Sequence, residues 1–270
     1  MRPMMTTRAL CFGTNYRGSD YELFGCENDA RDWTDALTRR GAFVTQLLGT
    51  DASKANIEEA IDEIVAKTRW GDRIVVTNST HGTYVPNASA VGEQDRRDEA
   101  ICPDDFQTAG LILDDTVAQR LGRRAWGSQA IWLADSCYSG GMAKLLEAPR
   151  WPRFSRFIPP HKAMELTRAQ QRLVNASPAV SEWAKALPKL RLPGKVIWHT
   201  ACAEPEVAWD AYFPDTRRFN GAFTRAAIDG LPDTATTHAS WAKSIRALVG
   251  SFDQTPQLIT ERPYQRYYTF

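Results

Sequence analysis

The chain is poor in the residues that build disulfide frameworks and zinc sites. Its 270 residues include five cysteines and four histidines. The cysteines are widely spaced, odd in number and never arranged as C-x-x-C, which argues against a disulfide framework and a thioredoxin-type motif. The histidines lie far apart, so we expect no zinc site. Most of the cysteines fit the pattern of small core residues, which leaves room for one reactive thiol.

An excess of charge of one sign is also missing. The 33 basic and 32 acidic residues give a net charge of +1, which offers no reason to expect nucleic acid or an anionic membrane as a partner. No apolar run is long enough to span a bilayer, and the opening "MRPMMTTRALCFG" lacks the apolar core of a signal peptide. We therefore expect a cytoplasmic protein without membrane segments.

What the sequence does contain is an alternation of strand and helix patterns, and 43% of its residues are hydrophobic. Strands are predicted in "RALCFGT", "FVTQLL", "DRIVVTNSTHG", "SQAIWLADSC", "KVIWHTACA" and "TPQLIT". Helices are predicted in "NDARDWTDALTRRG", with Asn28 as N-cap, in "SKANIEEAIDEIVAKT", and near 115–121, 221–230 and 238–250. A long polar loop is predicted over 84–110. The alternation predicts an α/β fold with a mostly parallel central sheet flanked by helices.

The alternation of strand and helix patterns is interrupted once, over residues 142–193. This stretch is rich in arginine, tryptophan and proline at first ("APRWPRFSRFIPP") and then has a helical pattern from 162 to 187. We interpret it as an insertion between core strands. No linker, repeat or low-complexity tract divides the rest, so residues 1–270 are predicted to form one domain.

Two predicted strands end in chemically suggestive groups. The third ends in Ser79, Thr80, His81 and Gly82, and the fourth in "DSC", residues 135–137. Parallel α/β sheets carry their functional residues just past the carboxyl ends of strands. If the two strands are neighbours, His81 faces Cys137 across a crevice, where a thiol is a nucleophile and an imidazole its base. Taken singly, each residue is more often a packing residue than a catalytic one.

The residues around these ends resemble the metacaspases, caspase-like cysteine peptidases of clan CD. "STHGT" and "DSCYSGG" resemble the family's histidine and cysteine motifs, and "ALCFGTNYRGSDYELFGCENDARDW" its opening strand and turn. "DEAICPDDFQTAGLILDD" resembles its acidic loop, "GAFTRAAIDGL" its late helix and "QTPQL" its closing segment. The motifs occur in the family's order over nearly the whole chain except the insertion. The resemblance implies a caspase-like three-layer sandwich of a prokaryotic-type member.

The resemblance also implies an activity, the cleavage of peptide bonds after Arg or Lys in peptide or protein substrates. His81 and Cys137 match the catalytic dyad, and amides near Gly82 and Cys137 are candidates for an oxyanion hole. Asp29, Ser79 and Asp135 match residues that line the family's S1 pocket. Carboxylates in a cleft would select a cationic P1 side chain. Asp29 has an alternative role as a helix-start residue.

Calcium as an activator is a further implication of the resemblance. Asp98, Asp114 and Asp115 match carboxylates that bind Ca²⁺ in calcium-dependent members, and the ion requires such oxygen ligands. The family's aspartate shortly after the nucleophile is missing, however, and Lys144 lies in that stretch. A lysine there would oppose the ion. Asp114 and Asp115 have an alternative role as acidic residues of a helix start.

Other departures from the family leave the reacting groups in place. Thr80 stands where glycine usually precedes the histidine, and Tyr138 stands where histidine commonly follows the nucleophile. In the insertion, basic residues are available for self-cleavage, namely Lys144, Arg150, Arg153 and Arg156. The alternative is a docking or pocket-covering element that is never cut.

Two other functions remain open on the sequence. One is a catalytically silent caspase-like module that binds basic peptides or a partner protein. The other is a cysteine hydrolase or transferase that acts on a non-peptide acyl group. By resemblance we expect a monomer, and from the balanced charge we expect no nucleic acid as a partner.

Overall fold

The computed structural model describes residues 5–86, 97–138, 151–165, 196–203, 206–260, 262–267 and 269. Within them, a six-stranded sheet has the order β12-β9-β7-β3-β1-β2. Its strands are β1 Thr7–Gly13, β2 Phe43–Leu48, β3 Arg73–Ser79, β7 Gln129–Asp135, β9 Val196–Thr200 and β12 Gln257–Ile259. All neighbours pair in parallel except β12, which runs antiparallel to β9. The predicted mostly parallel sheet is confirmed.

Helices cover both faces of this sheet. The helices that do so are α1 Cys26–Thr38, α2 Lys54–Ala66, α4 Asp114–Gly122, α6 Ala222–Asp229 and α7 His238–Val249, while the short helices α3 Phe106–Ala109 and α5 Pro160–Ala163 contribute to a separate apolar cluster. One apolar cluster joins the sheet to α1, α6 and α7, with Trp33, Phe223 and Trp241 at its centre. A second cluster joins the opposite face to α2 and α4 through residues such as Ile61 and Leu121. The predicted three-layer α/β sandwich is confirmed.

Helix α1 begins earlier than the sequence pattern predicts. Its first residue is Cys26 and its N-cap is Gly25, whereas Asn28 lies within the first turn. The prediction of Asn28 as N-cap is therefore wrong. The Asn28 side chain instead donates a hydrogen bond to the Phe219 carbonyl at 2.9 Å, so a long-range partner takes the amide away from capping.

The predicted polar loop over 84–110 is also wrong in part. The structure has strands there, β4 Gly82–Pro86 and β5 Arg97–Ile101, which pair antiparallel, and β5 pairs with the short strand β6 Ile112–Leu113. Helix α3 falls in the same stretch. Polar residues in these strands hide the alternation that identifies a half-buried strand from sequence.

A second small sheet was not predicted. It has the order β11-β10-β8, with β8 Arg153–Ser155, β10 Trp209–Phe213 and β11 Arg218–Gly221. Strand β8 belongs to the predicted insertion, so part of the insertion packs as an added strand. The helical pattern predicted from 162 onward lies largely outside the described residues, which show only α5 there. None of the described helices is long and apolar enough to cross a membrane.

Two buried histidines make the core sensitive to acid. His199 Nε2 lies 2.9 Å from His238 Nδ1, and both rings pack against Trp241. Burial, together with the charge of Arg73, lowers the pKa of His238 to about 3, and burial beside His238 lowers the pKa of His199 well below its usual range. Both rings are therefore neutral in the folded protein.

We predict that the free energy of unfolding falls as the pH drops from about 6.5 towards 4. The unfolded chain protonates these histidines first, so stability present above pH 6.5 is lost at up to about 1.4 kcal/mol per pH unit for each histidine. Denaturant unfolding of His238→Gln should show a shallower acid slope than the wild type. Substitution of the exposed His161 is the matched control, and an equal slope in His238→Gln would contradict the prediction.

Candidate active site

The carboxyl ends of β3 and β7 bring the predicted histidine and cysteine to adjacent positions. Ser79 pairs with Asp135 in the parallel register, and His81 and Cys137 each follow two residues later. The backbones are close here, because a side chain on Gly82 would lie 2.3 Å from the Cys137 carbonyl oxygen. Neighbouring strands therefore place both residues at one edge of the sheet.

The imidazole of His81 is oriented by a backbone carbonyl. Its Nε2 lies 2.8 Å from the Tyr21 oxygen, and since a carbonyl only accepts, Nε2 carries the proton. Among the described residues, Nδ1 is buried without a hydrogen-bond partner. The ring packs on Tyr16, whose hydroxyl accepts the His81 amide at 3.1 Å. Burial lowers the pKa of His81 to about 4, so the ring is a neutral base at neutral pH.

The Cys137 thiol is buried beside a second cysteine. Its Sγ donates to the Glu206 carbonyl at 3.1 Å, and Cys202 Sγ lies 3.6 Å from the same oxygen. The hydrogen bond with Cys137, together with burial, raises the pKa of Cys202 well above its usual range. Cys202 therefore stays a neutral thiol and does not compete with Cys137 as a thiolate.

Two backbone amides converge on one carbonyl oxygen next to the thiol. The Gly82 N–H donates to the Arg156 oxygen at 2.9 Å, and the Cys137 N–H donates to the same oxygen at 3.3 Å. Two amides aimed at one oxygen beside a nucleophile form the geometry of an oxyanion hole. The oxygen they hold belongs to the insertion, which places the Arg156 peptide group at the candidate reaction centre.

The Arg156 side chain fills a recess that we call the acidic pocket, formed by Asp29, Ser79, Asp135, Asp210 and Gly221. Its Nη2 lies 2.7 Å from Asp29 Oδ2 and 2.8 Å from Asp210 Oδ1. Its Nη1 lies 3.2 Å from Asp135 Oδ1 and donates to Ser79 Oγ at 2.7 Å. The guanidinium and the three carboxylates are almost completely shielded from solvent. The pocket thus holds one cation in a cage of oxygens.

Burial is the main cause of the pKa shifts of Asp29 and Asp135 in the pocket. Burial raises the pKa of Asp135 to about 6 and also raises that of Asp29, although the Arg156 charge opposes both shifts. Burial opposes the charge of Arg156 as well, but the carboxylates hold its pKa well above the usual range. The charge of Arg156 therefore favours the charged forms of Asp29 and Asp135 against the cost of burial.

Backbone amides fix the three carboxylates in place. Each accepts at least one N–H from a distant part of the chain, so the pocket is built by tertiary contacts. The donors are Gly221 to Asp29 at 3.0 Å, Thr224 to Asp135 at 2.8 Å, and Phe24 to Asp210 at 2.8 Å.

Sequence reasoning missed three members of this arrangement. Asp210 interrupts the apolar "VAWDAYF", which becomes β10, and that interruption is the one signal that could have identified it. Gly221 gave no signal, although a side chain there would lie 2.0 Å from Asp135 Oδ2 and 2.5 Å from Arg156 Nη1. Arg156 was predicted only as one of several cleavable basic residues.

The residues predicted to bind calcium do not form a metal site by themselves. Asp98 lies in β5, and Asp114 and Asp115 begin α4, where Asp114 Oδ1 accepts the Asp115 amide at 2.8 Å. Over the described residues, no group of three or more Asp, Glu, His or Cys side chains could hold a metal ion. Lys144 lies outside the described residues. Calcium activation stays a prediction from the resemblance.

The two departures from the family motifs lie beside the dyad. The Thr80 hydroxyl is buried between the Asn78 side-chain oxygen at 2.8 Å and the His81 carbonyl at 2.9 Å, so it braces the loop that carries the imidazole. Tyr138 packs against the cluster on the α2 face, and burial raises the pKa of its hydroxyl beyond its usual range. Neither side chain lies among the acidic pocket's members.

Comparison with known proteins places this arrangement in a recognised group. The sequence model described as metacaspase, peptidase C14 domain, matches residues 7–146. Metacaspase-4 of Arabidopsis thaliana is 35% identical over 147 residues, which cover 51% of this chain and 34% of that protein. Metacaspase-1 of Cryptococcus neoformans is 28% identical over 95% of this chain and 63% of its own length. The chain spans about a third of the Arabidopsis relative.

A solved structure shares the fold along nearly the whole chain. The crystal structure of protein GSU0716 from Geobacter sulfurreducens aligns with a TM-score of 0.70 and 26% sequence identity, and the alignment covers 97% of each chain. The similarity therefore includes the sheet, the flanking helices and the regions beyond the match to the family model.

We predict that Gly221→Ala expels Arg156 from the acidic pocket. The added methyl would overlap both Asp135 and the guanidinium, and the backbone there (φ −66°, ψ 133°) suits alanine, so only space is changed. The amides of residues 156 and 158, which bond Ala208 and Gly82, should exchange with deuterium at least about tenfold faster. Gly250→Ala, which meets no atom within 4 Å, is the control; unchanged exchange in Gly221→Ala would contradict the assignment of the pocket.

Proposed function

We propose that this chain, which belongs to the metacaspase family of C14 peptidases, is a cysteine endopeptidase that cleaves proteins after arginine or lysine. One observation carries the proposal. Arg156 has its side chain in the acidic pocket and its carbonyl oxygen on the Gly82 and Cys137 amides. An arginine bound in this way is in the position of a P1 residue.

The acidic pocket supports specificity for a cation at P1. Three buried carboxylates surround the guanidinium of Arg156, which also donates a hydrogen bond to Ser79 Oγ. An acidic or apolar P1 side chain would leave Asp29, Asp135 and Asp210 without a cation in a site closed to water, which is costly. Arginine fills the fork-shaped set of acceptors better than lysine, a compact charge with fewer donors, so arginine should be preferred.

The register of β3 and β7 and the tautomer of His81 support attack by Cys137 with His81 as base, once the thiol turns from the Glu206 carbonyl towards Nδ1. His81 is neutral and presents unprotonated Nδ1, because Nε2–H is held by the Tyr21 carbonyl. Nδ1 accepts the thiol proton while Sγ bonds to the P1 carbonyl carbon, and the oxygen gains charge against the two amides. The imidazolium then protonates the leaving amine. His81 next takes a proton from water, and the hydroxide bonds to the acyl carbon. The bond between that carbon and Sγ then breaks, which releases the acid, and the imidazolium returns its proton to Sγ to restore the thiol.

A silent peptide-binding module is the second candidate. The occupied pocket favours it as far as binding goes, since Arg156 is already held there. The neutral imidazole, the thiol and the convergent amides are additional features that binding alone does not require. Acyl transfer to a non-peptide substrate would need no acidic pocket, and the described geometry gives it no support.

We predict that the protein cleaves fluorogenic peptides with Arg at P1 faster than those with Lys, and both far faster than those with Asp. Initial rates should be measured with and without added calcium, and with a chelator. Cys137→Ala should reduce kcat/KM by at least about a thousandfold, because the nucleophile is lost. Cys11→Ala, which removes a cysteine from the core, is the matched control.

Turnover of Asp peptides at the Arg rate would contradict the proposed specificity. Binding of Arg peptides without turnover, in every calcium condition, would favour the silent module. Full activity of Cys137→Ala would overturn the role of the thiol.

The position of Arg156 also narrows the self-cleavage hypothesis to one peptide bond. Of the four basic residues predicted as cleavage sites, Lys144 and Arg150 lie outside the described residues. The guanidinium of Arg153 lies over the Trp209 ring at 4.4 Å, away from the acidic pocket. Among the described candidates, only Arg156 has its side chain in the acidic pocket, so the bond after it, to Phe157, is the proposed site of self-cleavage. Until it is cut or displaced, the segment blocks other substrates.

We predict that intact mass spectrometry of purified protein detects a cut between Arg156 and Phe157. Arg156→Gln should abolish this cut and lower the KM for an added Arg peptide, because the blocking side chain no longer fills the pocket. Arg153→Gln is the matched control and should leave the cut in place. A single uncut species of the wild type under all calcium conditions would end the self-cleavage hypothesis but not the blocking role, which the KM of Arg156→Gln tests separately.

A further inference from the structure

We infer that residues 153–157 are bound in the register of a substrate and map two further subsites, one for an aromatic P3 side chain and one for a basic P4 side chain. The inference rests on the proposed function, since it takes Arg156 as P1. Ser155, Phe154 and Arg153 then occupy P2, P3 and P4. The segment is covalently part of the chain, but its contacts are those that an external peptide would have to reproduce.

The backbone of the segment binds as an added strand. Strand β8 pairs antiparallel with β10, with Ser155 opposite Trp209 and Phe154 opposite Asp210. The Arg156 amide donates to the Ala208 carbonyl at 3.0 Å. Such main-chain bonds hold any extended peptide, while the pockets for alternate side chains give specificity.

Alternation along the strand divides the side chains between two faces. Arg156 and Phe154 share the face of Asp210, which contacts the Arg156 guanidinium. Ser155 and Arg153 share the face of Trp209. The two faces carry different residues, so the P3 and P4 side chains are recognised by different residues.

The residues around the P3 side chain are aromatic. The Phe154 ring lies 5.2 Å from the Phe24 ring and 6.0 Å from the Phe219 ring, measured between centroids, and the last two are 5.1 Å apart. Phe24 and Phe154 are exposed by 41% and 40%, so this contact is at the surface and open to an incoming side chain. Tilted ring pairs at these distances favour aromatic partners over aliphatic ones.

The P4 side chain contacts the indole of Trp209. The Arg153 guanidinium carbon lies 4.4 Å from the ring centroid, within the range of a cation–π contact. Among the described residues, Arg153 makes no ion pair, so the indole and not a carboxylate recognises its charge. Because the planar guanidinium stacks on a ring better than an ammonium does, arginine should be preferred over lysine at P4.

The test is a set of fluorogenic tetrapeptides that share Ser-Arg at P2 and P1. Relative to Arg-Phe-Ser-Arg, we expect kcat/KM to fall about fivefold for Ala-Phe-Ser-Arg and about fivefold for Arg-Ala-Ser-Arg. Asp-Phe-Ser-Arg should be poorer than the alanine peptide at P4. The same amide peptides should show the same order of affinity, by calorimetry, for the full chain carrying Cys137→Ala and Arg156→Gln.

Variants assign the effect to Trp209. Trp209→Leu should give equal kcat/KM for the peptides with Arg and with Ala at P4. Trp209→Phe should keep part of the preference for Arg at P4. The exposed Trp126, replaced by leucine, is the matched control. Thermal unfolding of each variant identifies those that lose the fold, and the peptide set on the wild-type protein decides the question without them.

The outcomes separate this inference from the proposed function. Equal turnover of all four Arg peptides would overturn the subsites while leaving cleavage after arginine intact. No turnover by the wild-type protein and none by Arg156→Gln, in which the blocking side chain is removed, together with graded affinity, would overturn the peptidase and keep the subsites. Equal affinity as well as no turnover would overturn both.

Discussion

The guanidinium of Arg156 lies among three buried carboxylates, and the surrounding structure depends on that charge balance. Asp29 comes from α1, Asp135 from the end of β7 and Asp210 from β10. The one cation therefore connects the central sheet, a covering helix and the small sheet. Buried carboxylates without a cation would repel each other in a medium that screens poorly. The acidic pocket therefore requires a bound cation, and in this structure that cation is the protein's own Arg156 side chain.

This requirement links specificity to regulation. The oxygens that would select an arginine in a substrate also hold Arg156, and the amides that would stabilise an oxyanion hold its carbonyl. An external substrate must displace a ligand that is tethered and therefore at high effective concentration. In the proposed function, the contacts that define the site also keep it blocked, and cleavage or displacement of the segment would open it.

Much of the fold was predictable because it follows from local pattern. Buried parallel strands give continuous apolar runs, and the helices α2 and α7 have apolar residues at helical spacing. The strands that were missed, such as β5 and β10, carry polar or charged residues that interrupt the apolar pattern of a buried strand. Asp210 in β10 is an example, since it is tolerated only because Arg156 and the Phe24 amide satisfy it.

The sequence by itself determined the six strands of the central sheet, the helices α1, α2, α4, α6 and α7, and the chemical groups at the ends of β3 and β7, because these follow from short-range periodicity and from residue type. His81 and Cys137 were recognisable in that way, whereas Asp29 and Asp135 were assigned to the pocket by resemblance to the metacaspases. Only the tertiary structure decided what fills the pocket between them. Arg156 reaches Asp29 through packing of segments 127 residues apart, and no local pattern records which of several arginines will be buried there.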